Sequence, residues 1–190
     1  MLKDLVLSNR SYRRFRENEA VSLESLRELV DLARLTPSGG NQQSLKYYIA
    51  CDPQKNAVIY PSLAWAGYLK DWDGPAVGER PAAYIIIFGD KSISTNFGCD
   101  YGIAAQTIML GATEKGLGGC MIGSVKRPAL MHALGIDSER FDLLLVLALG
   151  KPNETVILEQ LSASSDIRYW RDSDGNHHVP KRYLDDIILD

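Results

Sequence analysis

Four arginines fall within seven residues in the stretch NRSYRRFRE, at Arg10, Arg13, Arg14 and Arg16, and a second basic pair, Lys181 and Arg182, stands near the other end of the chain. Guanidinium groups stay charged at any working pH and match phosphate oxygens two at a time, which makes the cluster a candidate phosphate clamp. Arginines that follow a short helix also form solvated faces, and composition alone leaves both readings open. The remainder of the chain is slightly acidic, with 24 carboxylates against 21 basic side chains and a pI near 5.6. A nucleic-acid binder normally shows a broad basic excess. Two separated basic knots in an acidic protein suit one small phosphorylated ligand better than a polymer.

Other reactive residues nominate no competing site. GLGGCMIG places Met121 where a dinucleotide fingerprint after Gly116 and Gly118 needs its third glycine, and it follows a helix where the fingerprint follows a strand. No phosphate-binding Walker loop and no G-x-S-x-G nucleophile elbow occurs. His132 lies in a short helix and reads as a surface or packing residue. His177 and His178 follow the turn-like DSDG, and no third or fourth ligand is nominated, so no metal site is expected. Cys51, Cys99 and Cys120 are odd in number and widely spaced, which argues against a disulfide framework and reads as buried thiols.

The elements that must position these residues are legible in part. The 190 residues, 45% of them apolar, fit a single domain with a full core. No run approaches a membrane span, and MLKDLVLSNR lacks the apolar core of a signal peptide, so the expected location is cytoplasmic. Leu2, Leu5 and Val6 predict a short first helix. Ser22 predicts the cap of a helix over LESLRELVDLARL with an apolar stripe of Leu23, Leu26, Leu29, Val30 and Ala33, stopped by Pro37. TPSGGNQQS is a turn signal. KYYIAC reads as a strand, with AVIY as its neighbour across a turn at residues 53–56. AYIIIF is a central buried strand, and DYGIAAQTIMLGATEKGLG is the clearest helix, apolar around much of its circumference. GCMIGS is a short strand or turn, RPALMHALG a short helix ending at Gly135, and DLLLVLALG another buried strand. The tail from Ser162 to Asp190 ends in the helix-like YLDDIIL, while residues 63–80 admit no assignment. Strands and helices mix without strict alternation, an α+β pattern.

NRSYRRF, then TPSGGNQQ, then DYGIAAQTIMLGATEKGLGGCMIGS and finally VPKRYLDDII occur in the order found in the nitroreductase family, which this chain resembles over nearly its whole length. The resemblance implies a mostly antiparallel sheet flanked by helices, in one domain over residues 1–190. Residues 162–190 would form a C-terminal arm swapped across an intertwined homodimer. It also implies FMN at the subunit interface. Arg10, Ser11 and Arg13 would hold the flavin, with Arg13 near the pyrimidine edge, and Pro37, Ser38, Gly39 and Asn41 would reach it from the other subunit. Met121, Ile122 and Gly123 would run past its N5, and Lys181 with Arg182 would reach its phosphate. The chain departs from the family at Asn9, where a basic residue is common, and at Gln43-Ser44-Leu45, where Pro and Trp usually follow the glutamine.

The implied chemistry is ping-pong. NADPH or NADH would pass hydride to FMN, which then reduces a small organic acceptor such as a nitroaromatic or a quinone, with no side chain acting as a covalent catalyst. The same resemblance admits an FMN-dependent dehydrogenase or tailoring enzyme. A flavin-binding protein without turnover and a ligand-free acidic interaction domain are the readings from other classes. The family's central insertion is short here, and Trp65, Tyr68 and Trp72 stand in its place, either as core or as an aromatic wall over the flavin.

Overall fold

Strand β2 (Ala83–Asp90) is buried at every position, which explains its unbroken apolar run: a strand covered on both faces has no solvent side to mark with polar residues. The computed structural model describes residues 1–161 and 166–189. Beside β2 lie β1 (Leu45–Ala50), β4 (Phe141–Gly150) and β3 (Gly118–Ile122), in the order β1-β2-β4-β3 with every pair antiparallel. Ile85 pairs with Leu147, and Cys120 with Ala148.

Alternation along the strands then sorts the core into two halves. Ile85, Ile87, Leu147 and Leu149 face the helices α2 (Leu23–Arg34) and α4 (Asp100–Glu114). Tyr84, Ile86, Phe88, Val146 and Ala148 face the opposite way, with Ile59 of α3 (Pro53–Ile59) and Leu130 and Met131 of α5 (Arg127–Ala133). The result is an α+β fold in three layers. Helix α1 (Leu2–Ser8) lies outside them with no buried residue.

Local signals account for most boundaries. Ser22 caps α2, its Oγ accepting from the Ser25 N–H at 3.1 Å, and Leu26, Leu29 and Ala33 are buried while Leu23 is exposed. Helix α4 stops at Glu114, short of the full quoted run, because Gly116 adopts a left-handed φ of 70° and Leu117 N–H turns back to the Ala112 carbonyl at 2.9 Å.

Three expectations are corrected. AVIY is not a strand: Asp52 Oδ1 accepts from Lys55 N–H at 2.8 Å and Pro53 opens the first turn of α3, so an Asp-Pro pair read as a turn is a helix start. YLDDIIL forms only a short turn, with Asp186 N–H to Tyr183 at 3.2 Å and Ile187 N–H to Leu184 at 3.1 Å. Leu184 and Ile187 are exposed, so no packing offsets the cost of helix nucleation. Of the three thiols only Cys120 is buried. Cys99 is exposed in front of α4 and Cys51 half-buried at the end of β1.

The tail adds a second sheet that the sequence pattern did not reveal. Strand β5 (Val156–Gln160) pairs in parallel with β7 (His177–Lys181), which pairs antiparallel with the two-residue β6 (Trp170–Arg171). The first residues of the expected arm, 162–165, and residue 190 lie outside the described residues.

Candidate functional site

The arginine stretch reaches β3 through backbone contact. Ser11 bridges Gly119 and the Tyr12 N–H donates to the Gly119 carbonyl at 2.9 Å. Glycine permits this approach at position 118, where a Cβ would stand 2.5 Å from Tyr12 Cδ2, and Gly119 is tight against β4 and α4. A Cβ on Gly119 would overlap the Ala148 carbonyl oxygen and stand 2.9 Å from both Leu149 Cδ2 and Met109 Cε.

A cleft of about 210 Å³ opens where the two segments meet, lined by Arg13, by Ala64–Gly67 and by Cys120–Ser124. Arg13 therefore shares one cavity with Met121, Ile122 and Gly123, residues more than a hundred positions away. Met121 is exposed, Ile122 is buried, and nothing lies within 4 Å of where a Cβ on Gly123 would be, so that backbone is open to a ligand. Residues 63–80 supply the opposite wall: Leu63 bridges Val125, and Ala64 N–H donates to the Ser124 carbonyl at 3.0 Å. Trp65 both packs in the core and lines the cleft, and its buried indole N–H has no partner among the described residues. Trp72 is half-buried beneath the Arg171 guanidinium, 4.3 Å from its ring centre, and Tyr68 is exposed beside Tyr169.

Arg13 is held from several sides. Its Nη1 donates to the Ser11 carbonyl at 3.2 Å and lies 3.1 Å from His177 Nε2, and its guanidinium sits 4.7 Å from the centre of the Tyr169 ring. Its backbone N–H donates to Glu154 Oε1, as does that of Arg14 at 3.1 Å. The Glu154 side chain is 1% exposed, and its other oxygen accepts from Arg171 Nη2 at 3.0 Å. Burial pushes Arg171 below the usual guanidinium range. Burial, then the cations of Arg13, Arg171 and His178, hold His177 down to about 4, so it is neutral at physiological pH. His178 is the reverse case: Glu159 at 2.7 Å and Asp172 at 3.1 Å accept from its two ring nitrogens and raise it, while the Trp170 indole stacks on it at 4.0 Å.

The other expected site residues lie apart from this cleft. The Arg10 guanidinium is turned to the Val6 carbonyl at the end of α1, at 2.6 Å. Pro37 and Ser38 line a separate cavity of about 140 Å³ with Tyr47 and Asp100. There Ser38 Oγ donates to Asp100 at 2.8 Å, Gly39 N–H donates at 3.0 Å, and Asn41 N–H closes the turn onto the Ser38 carbonyl at 2.8 Å. Burial, with Asp100 nearby, pushes the Tyr47 hydroxyl up to about 12. Lys181 and Arg182 are exposed at the far end of β7, beyond His177 by about 13 Å of strand. Among the described residues, one chain does not bring them to the arginine cluster.

Larger surface hollows carry less chemistry. The one of about 710 Å³ along Phe141–Leu144 contains Arg127, but that guanidinium is engaged by the Leu143 and Gly123 carbonyls at 3.0 and 3.1 Å. No group of side chains among the described residues could hold a metal ion. Sequence reasoning missed Glu154, Tyr169, Arg171 and the role of His177. Nothing in KPNET marks Glu154 as the acceptor for two N–H groups about 140 positions earlier.

Residues 6–151 match the model of the Nitroreductase family. Among solved structures, one from Desulfovibrio desulfuricans in complex with FMN is 22% identical, with a TM-score of 0.73 and coverage of 100% of this chain and 95% of that one. The nitroreductase family protein from Streptococcus pneumoniae TIGR4 is 17% identical, with a TM-score of 0.70 and full coverage of both chains. A structure from Exiguobacterium sibiricum, also in complex with FMN, is 19% identical at a TM-score of 0.66, covering 80% of this chain and 89% of that one.

Proposed function

The chain belongs to the nitroreductase family, and from that premise we propose that it is an FMN-dependent oxidoreductase, reduced by NADPH or NADH and reoxidised by a small organic acceptor such as a nitroaromatic or a quinone. The observation that carries this reading is the one cleft that Arg13 lines together with Met121, Ile122 and the open Gly123. FMN, when bound, supplies the hydride chemistry that no side chain here can perform. The protein's part is binding, orientation and charge.

Arg13 places a fixed cation at the cleft, and a preorganised cation stabilises negative charge developing on a bound ring without reorganisation. Gly123 leaves its N–H approachable, and residues Trp65–Gly67 wall one side of the cleft. Ser11 would bind beside Arg13, Arg10 would join it by turning from the Val6 carbonyl, and Lys181 and Arg182 would take the phosphate.

A homodimer completes this reading. Ligand pockets generally enclose about 300–1,000 Å³, more than the Arg13 cleft of one chain provides. Pro37, Ser38, Gly39, Asn41, Lys181 and Arg182 all lie outside that cleft, and a second copy would supply such a loop and tail. Uncovered apolar side chains at Leu2, Val6, Leu184 and Ile187 offer surface for the interface. We place the enzyme in the cytoplasm, where reduced nicotinamide is available.

The test is an absorbance spectrum of the purified protein after incubation with FMN and gel filtration, repeated anaerobically with NADPH and with NADH. Retained flavin bands that bleach support the proposal. Retained bands that neither nicotinamide bleaches would favour a dehydrogenase or a flavin carrier, and a colourless protein would remove the flavin reading.

A further inference from the structure

His177 is 1% exposed, and its main chain is fixed in β7, the N–H donating to the Thr155 carbonyl at 2.8 Å. Its Nε2 lies 3.1 Å from Arg13 Nη1. A guanidinium can only donate, so Nε2 must accept and carries no hydrogen. The ring is then neutral with its hydrogen on Nδ1, an atom that is buried and has no partner among the described residues. An unmade bond at a buried donor is costly, so this tautomer persists only because its other nitrogen is engaged by Arg13.

Adjacent His178 is held in the opposite state. Both its ring nitrogens face carboxylates, Glu159 and Asp172, and only an imidazolium donates from both. The charged groups facing His177 are the cations Arg13 and Arg171, the latter paired with Glu154, and the His178 imidazolium on the same strand. The neutral aromatic neighbour is Tyr169, whose ring centre is 5.1 Å from that of His177. Arg171 and His178 have carboxylate partners, whereas the Arg13 guanidinium has none among the described residues, so a second proton on His177 would repel the group it now holds.

We propose that His177, as the neutral Nδ1–H tautomer, is the positioning residue for Arg13, fixing the guanidinium between the Ser11 carbonyl, Tyr169 and its own Nε2 at the edge of the cleft. Only the cofactor arm of the test rests on the flavin reading given above.

The experiment uses the full-length protein labelled with ¹⁵N-histidine. Without FMN at pH 7, His177 is expected to show a pyridine-type Nε2 and a pyrrole-type Nδ1. The Nε2–H tautomer, or an imidazolium, would overturn the proposal, and this measurement needs no variant to fold. In parallel, labelling of Arg13 by phenylglyoxal is followed by peptide mass mapping. His177→Leu should speed it several-fold, while His177→Gln, whose Oε1 can accept from Nη1, should stay near the wild-type rate. Equal rates in all three would overturn the proposal. Titration with FMN should give a Kd raised roughly tenfold in His177→Leu and restored in His177→Gln, as expected for one hydrogen bond to a charged group. A wild-type protein that takes up no FMN would refute the cofactor reading alone, since tautomer and labelling still judge the role of His177.

Discussion

Replacing Glu154 with alanine removes a carboxylate that is 1% exposed and accepts from the Arg13 N–H, the Arg14 N–H and the Arg171 guanidinium. Arg171 is 12% exposed at its side chain, so the deletion leaves a largely desolvated cation without its counter-ion and two N–H groups without an acceptor. Breaking a buried ion pair from one side costs about 3–5 kcal/mol. The orphaned N–H groups draw on the same local relaxation, so their cost does not add in full. For a chain of this size each kcal/mol moves Tm by about 2–4 °C, giving an expected fall of roughly 6–20 °C. Glu154→Gln keeps one oxygen for the two N–H donors but replaces the oxygen facing Arg171 with an NH2 donor, so the cation stays unpaired and the variant should recover only the part of the loss that belongs to the N–H groups. The assay is urea unfolding followed by far-UV circular dichroism, with calorimetry for Tm, at one fixed protein concentration because dimerisation would make Tm concentration-dependent. The double variant Glu154→Ala/Arg171→Met removes the stranded cation and should be markedly less destabilised than the sum of the two single changes. A loss below about 1 kcal/mol in Glu154→Ala, or strict additivity in the double variant, would refute the buried-pair reasoning.

Gly119→Ala should give insoluble protein or a large loss of Tm, because its Cβ has no room against the Ala148 carbonyl, Leu149 and Met109, and a soluble variant of wild-type Tm would show that β3 does not lie so tightly against β4 and α4. His178 has a folded pKa raised first by Glu159 and then by Asp172. Its stabilisation is therefore fully present below the unfolded value near 6.5 and is lost as pH rises through the folded value. The gap in urea midpoint between wild type and His178→Ala should be wide at pH 5.5, about one unit below an ordinary histidine, and close toward pH 8.5, about two units above it; a gap that widens with pH contradicts the ion-pair assignment. Lys181→Ala/Arg182→Ala should weaken FMN retention by about 1.5–3 kcal/mol per lost charge-assisted contact while leaving the unfolding curve nearly unchanged, since both side chains are exposed. Unaltered FMN affinity in a fluorescence titration would remove the phosphate assignment.

Much of the main sheet and its helices was legible in the sequence because the signals are local. Ser22 and Pro37 bracket α2, the unbroken apolar run of β2 announces burial on both faces, and Gly135 ends the segment of α5. A period or a cap is written within a few residues and survives in almost any tertiary setting. Where two local readings compete the signal fails, as at Asp52-Pro53, which starts a helix as readily as it makes a turn. The family motifs are likewise local, and they mark Arg13 and Met121–Gly123 within short stretches of sequence. Only the tertiary structure decided that these two segments share a cleft, that residues 63–67 form its far wall, and that Arg13 answers to Glu154 and His177. Glu154 and His177 lie 141 and 164 positions from Arg13 in sequence, and what brings them there is closure of the whole chain around β3, β4 and the tail sheet. No window of sequence encodes such a meeting. Whether a carboxylate is buried, and whether a histidine carries one proton or two, depends on which distant groups desolvate it and what charges they bring.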